Sequence, residues 1–137
     1  MNSDLKDTKA IVRQWWKALE RGDIPTVVNS LADDMVWEVM GMDELMPITI
    51  FRSKEVVARD LLSMFSQMYD VKNLEFDITN MIAEGSTVAM EFTINAILLN
   101  GRAYKNVKYV AVVKVDNGKI KSMREYADGL KVKAALA

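Results

Sequence analysis

Glu125 is the residue whose placement in this chain most needs a chemical reason. It sits in Lys119-Ile120-Lys121-Ser122-Met123-Arg124-Glu125-Tyr126-Ala127, which follows an alternating apolar stretch and an Asp116-Asn117-Gly118 turn. Residues two apart on a strand share a face, so Met123 and Glu125 point one way while Arg124 and Tyr126 point the other. A carboxylate held on a core-facing strand beside methionines and aromatic rings loses water, and desolvation raises its pKa toward the range useful for proton transfer. Such a group takes a proton from a carbon next to a carbonyl, the step that aldol-type cyclisation and double-bond migration share. The enolate then needs a donor, and Trp15, Trp37 and Tyr109 offer an N–H or O–H on an apolar body. A structural role is the other reading of Glu125: an ion pair with a cation such as Lys108, or hydrogen bonds from backbone amides. Asp128, just before Gly129, reads as a turn or capping residue.

Composition narrows the chemistry further. With no cysteine and no histidine among 137 residues, Ser-His-Asp and Cys-His nucleophiles, imidazole bases and most transition-metal sites are excluded. Acid-base work falls to Asp, Glu, Lys or Tyr. Asp43 and Glu44 fall short of an oxygen cage for a cation, so neither metal nor cofactor is expected. The net charge is −1, with 18 basic residues scattered along the chain; no basic stripe marks a nucleic-acid partner. Met1-Asn2-Ser3-Asp4 lacks the pattern of a leader, and no apolar run is long enough to span a membrane. The expectation is a cytoplasmic protein of one domain, residues 1–137.

The elements that must position Glu125 follow from periodicity. From Asp4 to Arg21, Ile11, Trp15, Ala18 and Leu19 recur at helical spacing, and Gly22 ends the helix. Pro25 opens a short second helix through Val27, Val28 and Leu31, ending before Asp33-Asp34. Met35 to Met40 reads as a strand, and Gly41 to Arg52 as an unusually apolar loop. Ser53 caps a third helix whose face is Val57, Leu61, Met64, Phe65 and Met68. Leu74, Phe76 and Ile78 alternate in a strand; Thr87–Leu99, 102–115 and Lys119–Ala127 complete an antiparallel meander, with Asn100-Gly101 as a hairpin signal. The order α-α-β-α-β-β-β-β is an α+β pattern. The tail from Leu130 to Ala137 is either a helical turn or a frayed end.

Two expectations about function come from packing. Strand 102–115 is apolar on both faces, with Val107, Tyr109, Ala111, Val113 and Val115 on one and Val110 and Val112 on the other, so a homodimer through the sheet is expected. Methionine is abundant for one small core, concentrated between residues 35 and 46 and on helix 53–69; it lines a variable cavity better than it specifies a rigid core. The expected pocket binds a small hydrophobic molecule through Trp15, Trp37, Met40, Met64, Met68, Met90, Phe92, Tyr109 and Met123.

Several local patterns together resemble the SnoaL-like polyketide cyclase and ketosteroid isomerase group of the nuclear transport factor 2-like superfamily. They are Arg21-Gly22-Asp23, Leu31-Ala32-Asp33-Asp34-Met35-Val36-Trp37-Glu38, Pro47 to Val57, Gly101 to Tyr104, Asn117-Gly118-Lys119-Ile120, and Arg124-Glu125-Tyr126-x-Asp128. The resemblance implies a cystatin-like cone: a curved antiparallel sheet wrapped around helices, with an internal apolar pocket. It also implies which chemistry is missing. The ketosteroid isomerase donors and base fall on Trp15, Ala111 and Val39. The epoxide hydrolase set falls on Trp37 and Val39 and on Met90 and Phe92, or on Glu91 and Thr93 in a shifted register. The cyclase pair falls on Ala111 and Glu125, so one acid-base residue survives. The resemblance thus implies either cofactor-independent acid-base chemistry of the isomerase or cyclase type, or a non-catalytic binding or dimerisation module.

Overall fold

A computed structural model describes residues 2–136, with side chains from Thr8 onward. Met1, the start of the expected leaderless amino terminus, and Ala137, the end of the expected tail, lie outside the described residues. Helix α1 (Asn2–Arg21) turns Val12, Trp15, Trp16, Ala18 and Leu19 into the core. It ends because Gly22 adopts φ +73°, which lets Gly22 N–H reach Leu19 O at 3.1 Å and Asp23 N–H reach Ala18 O at 2.9 Å and satisfies carbonyls the last turn leaves open. Asp23 then caps α2 (Ile24–Asn29) by accepting from Thr26 N–H.

Strand β1 (Leu31–Met40) starts four residues earlier than its alternation suggests. Leu31 pairs with Ile120 and Val36 with Ser122, so the chain between them bulges, which hides the period. Asp33 and Asp34 stay on the surface, paired with Lys54 and Lys121. Strand β2 (Ile50–Arg52) lies inside the expected loop; three residues are too few for a period, yet Phe51 is buried opposite Trp37. The third helical arm, capped at Ser53, runs through α3 (Lys54–Val56), a π-helical turn Val57–Leu61 and α4 (Leu62–Met68).

Strands β3 (Glu75–Glu84), β4 (Thr87–Ile97), β5 (Ala103–Asp116) and β6 (Lys119–Ala127) form the meander. The sheet order is β2-β1-β6-β5-β4-β3, a curved open sheet with helices over one face. One pairing departs from the antiparallel expectation: β1 lies parallel to β6, because the long crossover through α3, α4 and the meander brings the last strand back alongside the first. The β4–β5 connection is also looser than a two-residue hairpin. Only Gly101 takes positive φ there, and Gly101 N–H closes on Leu98 O at 2.9 Å.

The tail folds as helix α5 (Gly129–Leu136), with Val132 and Ala135 buried. Asp128 accepts from Lys131 N–H at its start, while Asn100 and Arg102 donate to the carbonyls of Ala135 and Ala134 at its end. Those bonds hold an eight-residue helix that would be marginal alone. No helix among the described residues is long and apolar enough to cross a membrane.

Candidate functional site

The inner face of the sheet and the third helical arm enclose a cavity of about 440 Å³. Its floor comes from inward-facing residues of four neighbouring strands: Trp37 and Val39 of β1, Glu125 and Ala127 of β6, Tyr104 and Tyr109 of β5, Phe92 and Ile94 of β4. Met64, Phe65 and Met68 of α4 form the roof. Met42, Leu45 and Met46, from the apolar loop after β1, close one rim, and Val132 and Leu136 of α5 the other. Tyr109 stacks on Phe92 with ring centroids 5.2 Å apart and planes 17° apart, and Trp16 meets Phe92 edge-on at 5.4 Å. The walls are therefore flat and aromatic on one side, flexible and methionine-rich on the other.

Glu125 is the carboxylate of this lining. In register it stands between Ala111 on β5 and Val39 on β1, neither of which offers a polar partner. Among the described residues no ion pair joins it to a lysine or arginine. Lys108, considered from sequence as its counter-charge, is exposed, one residue out of phase with inward Tyr109. Burial pushes the Glu125 carboxyl up to about 7, opposed by the nearby Trp37 indole N–H. The Trp37 Nε1 is itself buried and has no partner within hydrogen-bonding geometry. It lies near enough to favour the carboxylate but short of a formed bond. The surface Glu125 still exposes faces the cavity it lines.

Three tyrosines gather beside this carboxylate. Tyr104 and Tyr109 share a short hydroxyl–hydroxyl hydrogen bond, and the Tyr69 ring packs edge-on against Tyr104 at 5.6 Å. Burial raises all three phenols, Tyr69 and Tyr109 most strongly, and the Glu125 charge adds to the effect on each. Tyr104 and Tyr109 are five apart, which in an unbroken strand would put them on opposite faces. Asn106, at φ +53°, supplies the extra residue of a bulge where Ile94 faces Val107 and Ala96 faces Tyr104. Both hydroxyls therefore turn inward. An asparagine, tolerant of positive φ, within a valine-rich strand is the signal in sequence that points to Tyr104.

Of the residues expected to bind a ligand, Trp37, Met64, Met68, Phe92 and Tyr109 line the cavity together with Glu125. Four do not. Trp15 is wholly buried behind the wall, and its Nε1 donates to Val27 O at 3.0 Å, so it has no proton to offer. Met90 and Met123 are sealed in the core at 0 % exposure, filling volume between sheet and helices. Met40 pairs with Tyr126 on the opposite face from Trp37 and Val39, as strand alternation requires. Tyr69, Tyr104, Phe65 and the α5 residues Val132 and Leu136 line the cavity beyond the residues expected from sequence.

A cone-shaped α+β protein with a desolvated carboxylate in an apolar cavity is the class that fold and site define. Residues 12–123 match the SnoaL-like domain, and the chain belongs to that family. No curated protein matches it in sequence. Among solved structures it is similar to an NTF2-like protein of unknown function from Burkholderia pseudomallei, with 20% identity, 96% of this chain and 98% of that one covered, and a TM-score of 0.82. An LEH-like epoxide hydrolase from M. tuberculosis is 26% identical over 96% of this chain and 91% of that one, with a TM-score of 0.77. TerC, co-crystallised with polyporic acid, is 14% identical over 95% and 98%, with a TM-score of 0.79.

Proposed function

We propose that this protein binds a small hydrophobic carbonyl compound in the cavity and uses Glu125 to move a proton on it without a cofactor. The observation that carries this reading is the placement of Glu125 in the wall of an apolar cavity that holds no opposing cation among its lining residues, where burial pushes the carboxyl up to about 7. A base of that strength at neutral pH is half ionised, so it accepts a proton from an α-carbon and returns it as an acid. Return to a different carbon gives isomerisation; attack of the enolate on a second carbonyl gives cyclisation. Negative charge develops on the carbonyl oxygen, where the Tyr104–Tyr109 hydroxyls and the unpartnered Trp37 N–H are the available donors.

A titration of the Glu125 carboxyl carbon by NMR, assigned with Glu125→Gln, is expected to show ionisation near pH 7. Ionisation at or below the ordinary 4.5 would leave only the binding module. That second reading is favoured by one observation: Ala111 stands beside Glu125 where the cyclase pattern implied by the resemblance has its histidine.

The reading includes a homodimer through the outer sheet face. Val110 and Tyr126 stand side by side there, 37% and 41% exposed, with Val112 next to them and Ile82 at 62%. Glu91 and Arg124 flank the valines at opposite corners, so a second copy packed face to face across a two-fold axis that runs between the two sheets, perpendicular to the Glu91–Arg124 line, sets each charge over its opposite. Sedimentation velocity over a hundredfold concentration range is expected to show a dimer that Val110→Glu dissociates. Monomers throughout would remove the dimer.

A further inference from the structure

A second cavity, of about 240 Å³, opens between α1 and the edge strand β3. Arg13, Trp16, Lys17 and Glu20 line it from the helix, at the i, i+3, i+4, i+7 spacing of one continuous face, and Phe76 and Ile78 line it from the strand. Trp16 and Phe76 also line the larger cavity, so the two spaces share an aromatic wall. Glu125 lines the inner one and not the outer.

The charges of the outer cavity are unbalanced. Arg13 and Lys17 are exposed, one turn apart, and neither has an ion-pair partner among the described residues. Like charges at that spacing repel. The acid on the same helix face, Glu20, is engaged elsewhere: its Oε2 accepts from Phe76 N–H at 2.7 Å, on the outermost strand of the sheet. Glu75 and Asp77 alternate with Phe76 and Ile78, and so stand on the other face of β3. Two cations therefore stand beside an apolar floor of Trp16, Phe76 and Ile78, with one already hydrogen-bonded carboxylate against them. A simple anion would leave that floor bare, and a neutral apolar molecule would leave the cations unpaired.

We propose that this outer cavity is a second ligand site, for a small aromatic carboxylate whose ring lies against Trp16 and Phe76 and whose carboxylate is held by Arg13 and Lys17. The assignment is independent of the chemistry at Glu125. The inner cavity, with no cation in its lining, disfavours such an acid, and the outer one attracts it.

The probes are phenylacetate, phenylacetamide and acetate, titrated into the full chain at about pH 7.5, where both acids are ionised, with amide proton–nitrogen correlation spectra as the readout. Phenylacetate is expected to bind at least about fivefold tighter than either of the others, moving the signals of Phe76 and Ile78 and leaving those of Glu125 and Ala127 in place. Salt at about 0.5 M should erase most of that preference. Arg13→Gln combined with Lys17→Gln, both at the surface, is expected to bring the acid down to the level of the amide. Equal affinity for acid and amide, or acid binding unchanged in the double variant, overturns the outer site. Signals shifting at Glu125 and Ala127 instead of Phe76 and Ile78 place the acid in the inner cavity and overturn it too, as does binding by none of the three. None of these outcomes bears on the titration of Glu125, so the two readings fail separately.

Discussion

Replacing Glu125 by glutamine is expected to lower turnover of a carbonyl substrate by about a hundredfold or more, and to make the folded protein more stable above pH 7. Both effects come from one cause. General acid-base groups contribute on the order of 10²–10⁴ in rate, and glutamine keeps the shape while removing the proton. The stability effect has a definite sign. The native carboxyl ionises at about 7 and the ordinary one at 4.5, burial being the first cause of the difference. Between those values the unfolded chain releases a proton that the native state retains, so stability falls as pH rises through the window. The full shift corresponds to about 3 kcal/mol, and water entering the cavity reduces the measured loss to about 1–3 kcal/mol. Urea unfolding at pH 5 and pH 8 checks this: the wild type should lose that amount relative to Glu125→Gln. Parallel pH profiles for the two proteins would mean that the carboxylate is solvated and poorly suited to catalysis.

The second large effect is expected at Trp15, which looked from sequence like a cavity donor and is instead the keystone of the closed end. Trp15→Ala should cost about 3–5 kcal/mol, the range for truncating a large buried aromatic. Its ring packs between Trp16 and Trp37 at centroid distances of 4.8 Å and 5.4 Å, with 1% exposure. Its N–H satisfies Val27 O at the middle of α2. Trp15→Phe keeps much of the packing and leaves that carbonyl unpaired, for an expected loss of about 1–3 kcal/mol. Equilibrium unfolding monitored by far-UV circular dichroism measures both. A neutral Trp15→Phe would show that the Val27 bond adds nothing, and a mild Trp15→Ala that the closed end repacks.

How much was legible depended on what kind of signal each element leaves in sequence. Helix α1, the meander and the inward phase of Glu125 are written in periodicity, which is local and survives without the rest of the protein. Strand β2 is three residues long, and β1 is interrupted by a bulge, so neither carries a clean period. The parallel β1–β6 pairing is a non-local fact that no window of residues encodes. At the site, Trp37, Phe92 and Tyr109 are legible from strand phase, whereas Met40 has the residue type of a cavity lining but the opposite phase. Met90 and Met123 share composition with Met64 and Met68, and only the packing separates wall from filling. Tyr104 was hidden because its phase is reset at Asn106.

The bulge at Asn106 makes the chemistry of the cavity a matter of counting. Tyr104 reaches Tyr109 only because an odd residue has been inserted in β5 opposite β4. The ring and its hydroxyl could be kept unchanged in type while the pair is dissolved, simply by a change of one in strand length. Proteins of this architecture therefore have a route to gain or lose a polar cavity floor that point substitutions at the floor do not touch. Comparing them by aligned residue identity alone would miss it, since what differs is the parity of a strand.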